Sequence, residues 1–318
     1  MSVPVLPPTG GGLRPGAAYW TVHVLGVAIV ATAALWISVG WWRLLGERLR
    51  AEPRKNPLPL WVALLLVGGA YALQLLVSRF WADLAAGWLA DAQAGAAPVY
   101  GWVVYGWLPG LVALLPYAVI ALVVGRASGG GRAPGPAQGR PAGWKAVEPV
   151  FRTLLPWGVV AVTVVAFPMT SSSLVFASSL RGLALMGAYG FSINVLLFPL
   201  VLGVLMPSLG QAIERALRFA LGSGGPARGL AVAAGEAVLV SALLTTWQIW
   251  PGLSGQGAAL SAIVPHAVRY AATNVVSALA YRAGGGVLWS AAVSPLMLAA
   301  WNLVPLLLAQ FLYWAPWM

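Results

Sequence analysis

Long apolar runs separated by short polar connections dominate this chain. Eight runs are read, at residues 18–42, 59–79, 101–125, 153–178, 182–206, 229–250, 259–281 and 286–314. A helix of about 20 residues, rising ~1.5 Å per residue, matches the hydrocarbon thickness of a bilayer. A transmembrane β-barrel would instead show roughly ten-residue segments of alternating hydrophobicity, and the sequence has no such pattern. The expectation is an all-α, polytopic transmembrane helix bundle of about eight spans.

Composition agrees. The chain is 60% hydrophobic and 8% charged, where soluble domains carry about 25% charged residues. It has no cysteine, which excludes disulfides, thiol catalysis and thiolate-held clusters. The net charge of +11 would suit nucleic acid if it formed a surface patch, but the cations gather in four connections. These hold Arg43, Arg48, Arg50, Arg54 and Lys55; then Arg126, Arg132, Arg140, Lys145 and Arg152; then Arg215, Arg218 and Arg228; and finally Arg282. They account for 14 of the 18 basic residues and alternate along the chain. The positive-inside rule then puts all four in the cytoplasm and both termini outside. The expected setting is a multi-pass protein of the cell inner (plasma) membrane. Its partners are the lipid bilayer and a hydrophobic peptide or membrane protein, with no nucleic acid.

Four parts are expected: a Pro- and Gly-rich tail at 1–17 without the order of a cleavable signal peptide, three spans at 18–126, a flexible cytoplasmic linker at 127–150, and five spans at 151–318. Residues 80–100, with Trp81, Asp83, Trp88 and Asp91, read as an amphipathic stretch on the outer interface. Between Pro207 and Leu221, Leu209, Ile213 and Leu217 share one side, while Glu214, Arg215 and Arg218 prefer another. This segment is either the end of the fifth span or a separate interfacial helix, with Glu214 and Arg218 at ion-pair spacing.

Inside the apolar runs the polar inventory is short. His266, Tyr270, Asn274, Ser277 and Tyr281 fall on one helical face, which must meet protein or a wet cavity rather than lipid. Glu236 in the sixth span and Arg269 in the seventh differ in backbone depth by roughly 9 Å at ~1.5 Å per residue, most of which a long arginine side chain closes. They are read as an ion pair or as a substrate or proton site, with Glu236 snorkelling to the cytoplasmic surface as a third alternative. His23 and His266 are expected to hydrogen-bond neighbouring helices. A zinc site takes three protein ligands, and two distant histidines with one membrane-embedded Glu do not supply a metal site. HExxH, GxSxG and Walker motifs are absent. The hydroxyls of Thr170–Ser173, Ser178 and Ser179, and the run Thr245-Thr246-Trp247-Gln248, suit bonds within or between helices. Gly187, Gly190 and Gly203 suit close helix contact, and Pro199, Pro207, Pro295 and Pro305 suit kinks.

Residues 195–305 resemble the CPBP family of CAAX-prenyl-protease and bacteriocin-processing membrane proteins. That family has a Pro before Glu-Glu-x-x-x-Arg, then Phe-x-x-x-His, then a Tyr-x-x-Thr-Gly-Ser-Leu-Trp-like turn and His-x-x-x-Asn. Here Pro207 precedes Gly210-Gln211-Ala212-Ile213-Glu214-Arg215. Leu244 to Gln248 stands in the second place, the turn is Tyr281-Arg-Ala-Gly-Gly-Gly-Val-Leu-Trp289, and Leu298 to Asn302 is the last. Arg215 and Asn302 carry over; the paired glutamates and the histidines do not. An amide such as that of Gln211 cannot titrate as a general base. The resemblance implies a divergent member that binds a hydrophobic peptide, lipid or partner helix in a polar cavity of spans five to eight, without cofactor. Arg215, Gln248, Arg269, Tyr270, Asn274 and Asn302 are the binding candidates. Two alternatives stay open. One is an active intramembrane metallopeptidase using zinc, with Glu214, Glu236 and His266 as catalytic candidates. The other is a transporter or permease subunit with Glu236–Arg269 as a gated pair.

Overall fold

A computed structural model describes residues 17–50, 57–92, 107–127, 143–166, 180–221, 226–255 and 260–313. Among them no strand occurs, and nearly every residue is helical. The helices are α1 (Ala17–Ser38), α2 (Trp42–Leu49), α3 (Leu60–Ala92), α4 (Leu108–Ala127), α5 (Trp144–Ala166), α6 (Leu180–Leu200), α7 (Met206–Leu221), α8 (Pro226–Gly255), α9 (Leu260–Ala280) and α10 (Gly286–Tyr313).

Five helical stretches among the described residues are long and apolar enough to cross a membrane, or six if the bent pair α1–α2 is one span. The eight spans expected from the sequence are not reached by that measure. One physical reason is visible. The stretch His266–Ala300 counts once by length and apolarity, yet it contains the turn Tyr281–Gly285, where the chain leaves helical geometry at Gly284 (φ 102°) and again at Gly286 (φ 69°). α9 and α10 pack against each other on either side of it. The count also covers only the described residues, and residues 149–166 of α5 carry the single charge Arg152.

The boundaries differ from expectation in three places. The linker expected at 127–150 ends early, because α5 begins at Trp144. Val147, Val150 and Phe151 form a buried face there, and Arg152 Nε donates to Glu148 Oε1 one turn back, at 2.9 Å. Residues 128–142, the Thr170–Ser173 run, Ser178 and Ser179 lie outside the described residues. Second, α3 continues to Ala92, so the first part of the supposed interfacial stretch prolongs a 33-residue helix. Third, the first span stops at Ser38, and α2 departs at 66°.

Pro199 leaves a backbone carbonyl without its usual donor. A widened π-helical turn, Val201–Leu205, follows it and leads into α7. Its Val201, Leu202 and Leu205 are buried.

The core lies among α5, α6, α8, α9 and α10, with Phe198, Leu202, Val240, Ala278 and Met297 buried in it. α9 is packed between α8 and α5, and α10 lies on α6. The N-terminal helices join the same body, α1 against α5 and α4 against both α3 and α6. Small residues set the close approaches, as membrane helices require in place of a hydrophobic driving force. A Cβ on Gly187 would stand 3.2 Å from Pro295 Cβ, and one on Gly190 would stand 2.8 Å from Ser294 Oγ. Lipid-facing apolar side chains such as Trp36, Leu65, Leu76 and Leu122 are exposed, the arrangement expected where lipid is the solvent.

Candidate functional site

Two buried polar clusters and one groove hold Glu236, Gln248, Asn274 and Arg215, and the other candidates lie apart from them. The first cluster forms around Glu236, 1% exposed on α8. Its carboxylate lies directly against the backbone of α7 at Gly210, where any Cβ would overlap it. Oε2 accepts from Arg282 Nη1 of the turn after α9. Arg282 Nε donates to the carbonyl of Leu49, the last residue of α2, at 3.2 Å. A cation there also suits the negative end of a helix. One ion pair thus joins α2, α7, α8 and the α9–α10 turn. Removing one partner of such a pair is costly, because the other charge stays buried. The second carboxylate oxygen, Oε1, is buried without a hydrogen-bond partner.

This corrects the pairing expected from sequence. Arg269 is not the partner of Glu236; its guanidinium sits over the Tyr270 ring at 4.7 Å. Arg269 lies 13 residues before Arg282 on the same helix, about 20 Å away at ~1.5 Å per residue. The pairing with Arg269 had to bridge a depth gap of roughly 9 Å, whereas the turn brings Arg282 directly to the carboxylate.

The second cluster lies between α8 and α9. Asn274 Nδ2 donates to Thr245 Oγ1 at 3.2 Å and to Gln248 Oε1 at 3.0 Å. Ser241 Oγ donates to the Ala271 carbonyl at 3.0 Å. Asn274 and Ser277 are fully enclosed, and Asn274 Oδ1 and Ser277 Oγ are buried without partners. The polar face of α9 therefore meets protein. Gln248 and Asn274, expected to line an open cavity, are bonded to each other across a helix contact. On α3, Gln74 was not singled out by the sequence reading. Its Oε1 accepts from Tyr117 OH at 3.1 Å and from Trp247 Nε1 at 3.3 Å, tying α3, α4 and α8. An amide in the middle of an apolar run was the available signal.

The three catalytic candidates do not converge. Glu214 accepts from Arg218 Nη2 at 2.7 Å and from Arg228 Nη2 at 2.6 Å, near the surface of α7. The pair with Arg218 has the spacing read from sequence. His266, half-buried near the start of α9, is 16 residues before Arg282, about 24 Å along the helix from the Glu236 pair. No group of three His, Cys, Asp or Glu side chains suited to a metal ion occurs among the described residues. Tyr270 is half-buried. Asn302 belongs to α10, but its side chain, like that of His23, lies outside the described residues.

Arg215 and Gln211 sit elsewhere, one turn apart on α7. With Ala212 they form one wall of a groove of about 750 Å³, and Pro57, Pro59, Leu60, Trp61 and Leu64 at the start of α3 form the other. Arg215 is exposed, and among the described residues no carboxylate pairs with it. Trp61 and Leu64 are 65% and 49% exposed.

No family model, curated protein or solved structure matches this chain.

Proposed function

We propose that the protein is an eight-crossing inner-membrane protein with a CPBP-like C-terminal half, used to bind a hydrophobic partner (peptide, lipid or helix) rather than to cleave one. The eight crossings are α1, α3, α4, α5, α6 with α7, α8, α9 and α10. Support for that count comes from the turn dividing His266–Ala300 and from the alternation of basic connections. The observation that carries the binding reading is the state of Glu236. Its carboxylate is held by a buried arginine at a four-element junction, and His266 is a long way along α9. A general base needs a reactive proton within hydrogen-bond reach, and this one is occupied by a structural cation. The groove beside Gln211 and Arg215 is a polar place open to a ligand among the described residues.

One observation favours the peptidase alternative. The unpartnered Oε1 of Glu236 lies against Gly210, where the resemblance would place a motif glutamate. The two readings separate in one assay. The purified protein is incubated with equimolar zinc and a hydrophobic transmembrane peptide, and products are followed by mass spectrometry. Intact peptide is expected. Cleavage by the wild type that Glu236→Gln abolishes, in a variant that still folds, would establish the peptidase instead.

A further inference from the structure

The groove between α3 and α7 has a composition that narrows its occupant. One wall is apolar and continuous with the lipid-facing side of α3, through Leu60, Trp61 and Leu64. The other carries a carboxamide and a guanidinium, Gln211 and Arg215. The charge on Arg215 is uncompensated among the described residues, although the neighbouring Glu214 is saturated by Arg218 and Arg228. α3 starts just after the Arg43–Lys55 connection, and α7 belongs to the Arg215–Arg228 connection. In the proposed topology both walls stand at the same membrane–water interface, where tryptophan is favoured.

A soluble anion would have no use for the apolar wall. A hydrophobic helix would leave the guanidinium without a counter-charge. A molecule with an anionic head and acyl chains satisfies both walls. Arginine binds phosphate through bidentate charge-assisted hydrogen bonds, and anionic lipids attract cations at the membrane surface. The volume of about 750 Å³ is that of a ligand-sized site. Resting on the binding reading above, we infer that this groove holds one anionic glycerophospholipid. Its phosphate sits on Arg215 and Gln211, and an acyl chain runs down Leu60, Trp61 and Leu64.

The test uses the full chain in bilayer nanodiscs of equal phosphatidylglycerol and phosphatidylcholine, released into native mass spectrometry. Wild type is expected to retain one phosphatidylglycerol in preference to phosphatidylcholine. Arg215→Ala is expected to reduce that retention about fivefold, the equivalent of ~1 kcal/mol for one interfacial cation. Arg126→Ala, an exposed arginine on α4, should leave it unchanged. Equal loss in both variants, no lipid preference in wild type, or displacement of the lipid by millimolar inorganic phosphate would each overturn the proposal. A photoreactive benzoylphenylalanine at Leu64 distinguishes this failure from failure of the wider reading. Crosslinking to phosphatidylglycerol supports the proposal. Crosslinking only to an added transmembrane peptide overturns it but keeps the binding reading. Crosslinking to neither overturns both.

Discussion

At the scale of single residues, Glu236 and Arg282 dominate. Both are withdrawn from solvent, with 2% and 7% of their side chains exposed, so neither charge is solvated if the other is removed. Glu236→Ala or Arg282→Ala alone is expected to lower stability by about 3–5 kcal/mol. The double replacement Glu236→Leu/Arg282→Met should cost much less than the sum. Reversible unfolding in detergent, arranged as a double-mutant cycle, reads the coupling. Arg269→Ala in the same assay should show no coupling to Glu236. Gly210 supplies a second check. An added methyl would collide with the Glu236 carboxylate, so Gly210→Ala should be destabilising in wild type and nearly neutral in the Glu236→Ala background. The sequence marked Glu236 as an intramembrane carboxylate and offered Arg269 as one partner for it. The partner in the structure is Arg282, which reaches back from a turn.

At the scale of elements, α9 shows what periodicity does and does not reveal. The spacing of Tyr270, Asn274, Ser277 and Tyr281 placed them on one face, and the structure buries the centre of that face against its neighbours. Asn274→Leu deletes two donated bonds, to Thr245 and Gln248. It is expected to cost about 1–2 kcal/mol, a usual worth for polar contacts between membrane helices, measured by thermal unfolding in detergent. Gln248→Leu should remove part of the same loss. Helix ends were less legible. The early start of α5 depends on packing partners distant in sequence, as with Val147 against Gly285 of the turn. The site candidates divided similarly. Asn274 and Gln248 met, whereas His266 lies far along α9 from Glu236, because a shared chemistry of side chains says nothing about their separation along a helix pair.

At the scale of the whole molecule, the absence of cysteine makes the proposed topology directly testable. Single cysteines placed at Arg48, Arg132 and Arg228 are expected to react with a membrane-impermeant maleimide only after cells are opened. One at Ala96 should react in intact cells. Reversal of both patterns would invert the orientation, and a mixed pattern would remove the eight-crossing arrangement.

The sequence by itself determined the helical, membrane-embedded character of this protein. Apolar run length and composition are local properties, and water and lipid act on them without reference to the rest of the chain. It also required the α9 polar face to meet protein or a wet cavity rather than lipid. Only the tertiary structure decided which groups meet. The partnership of Glu236 with Arg282 depends on the backbone path through Gly284 and Gly286, and on the missing side chain at Gly210. The groove at Arg215 depends on α3 and α7, over 100 residues apart in sequence, coming together. Such contacts are set by packing among all the helices at once, and no single stretch of sequence encodes them.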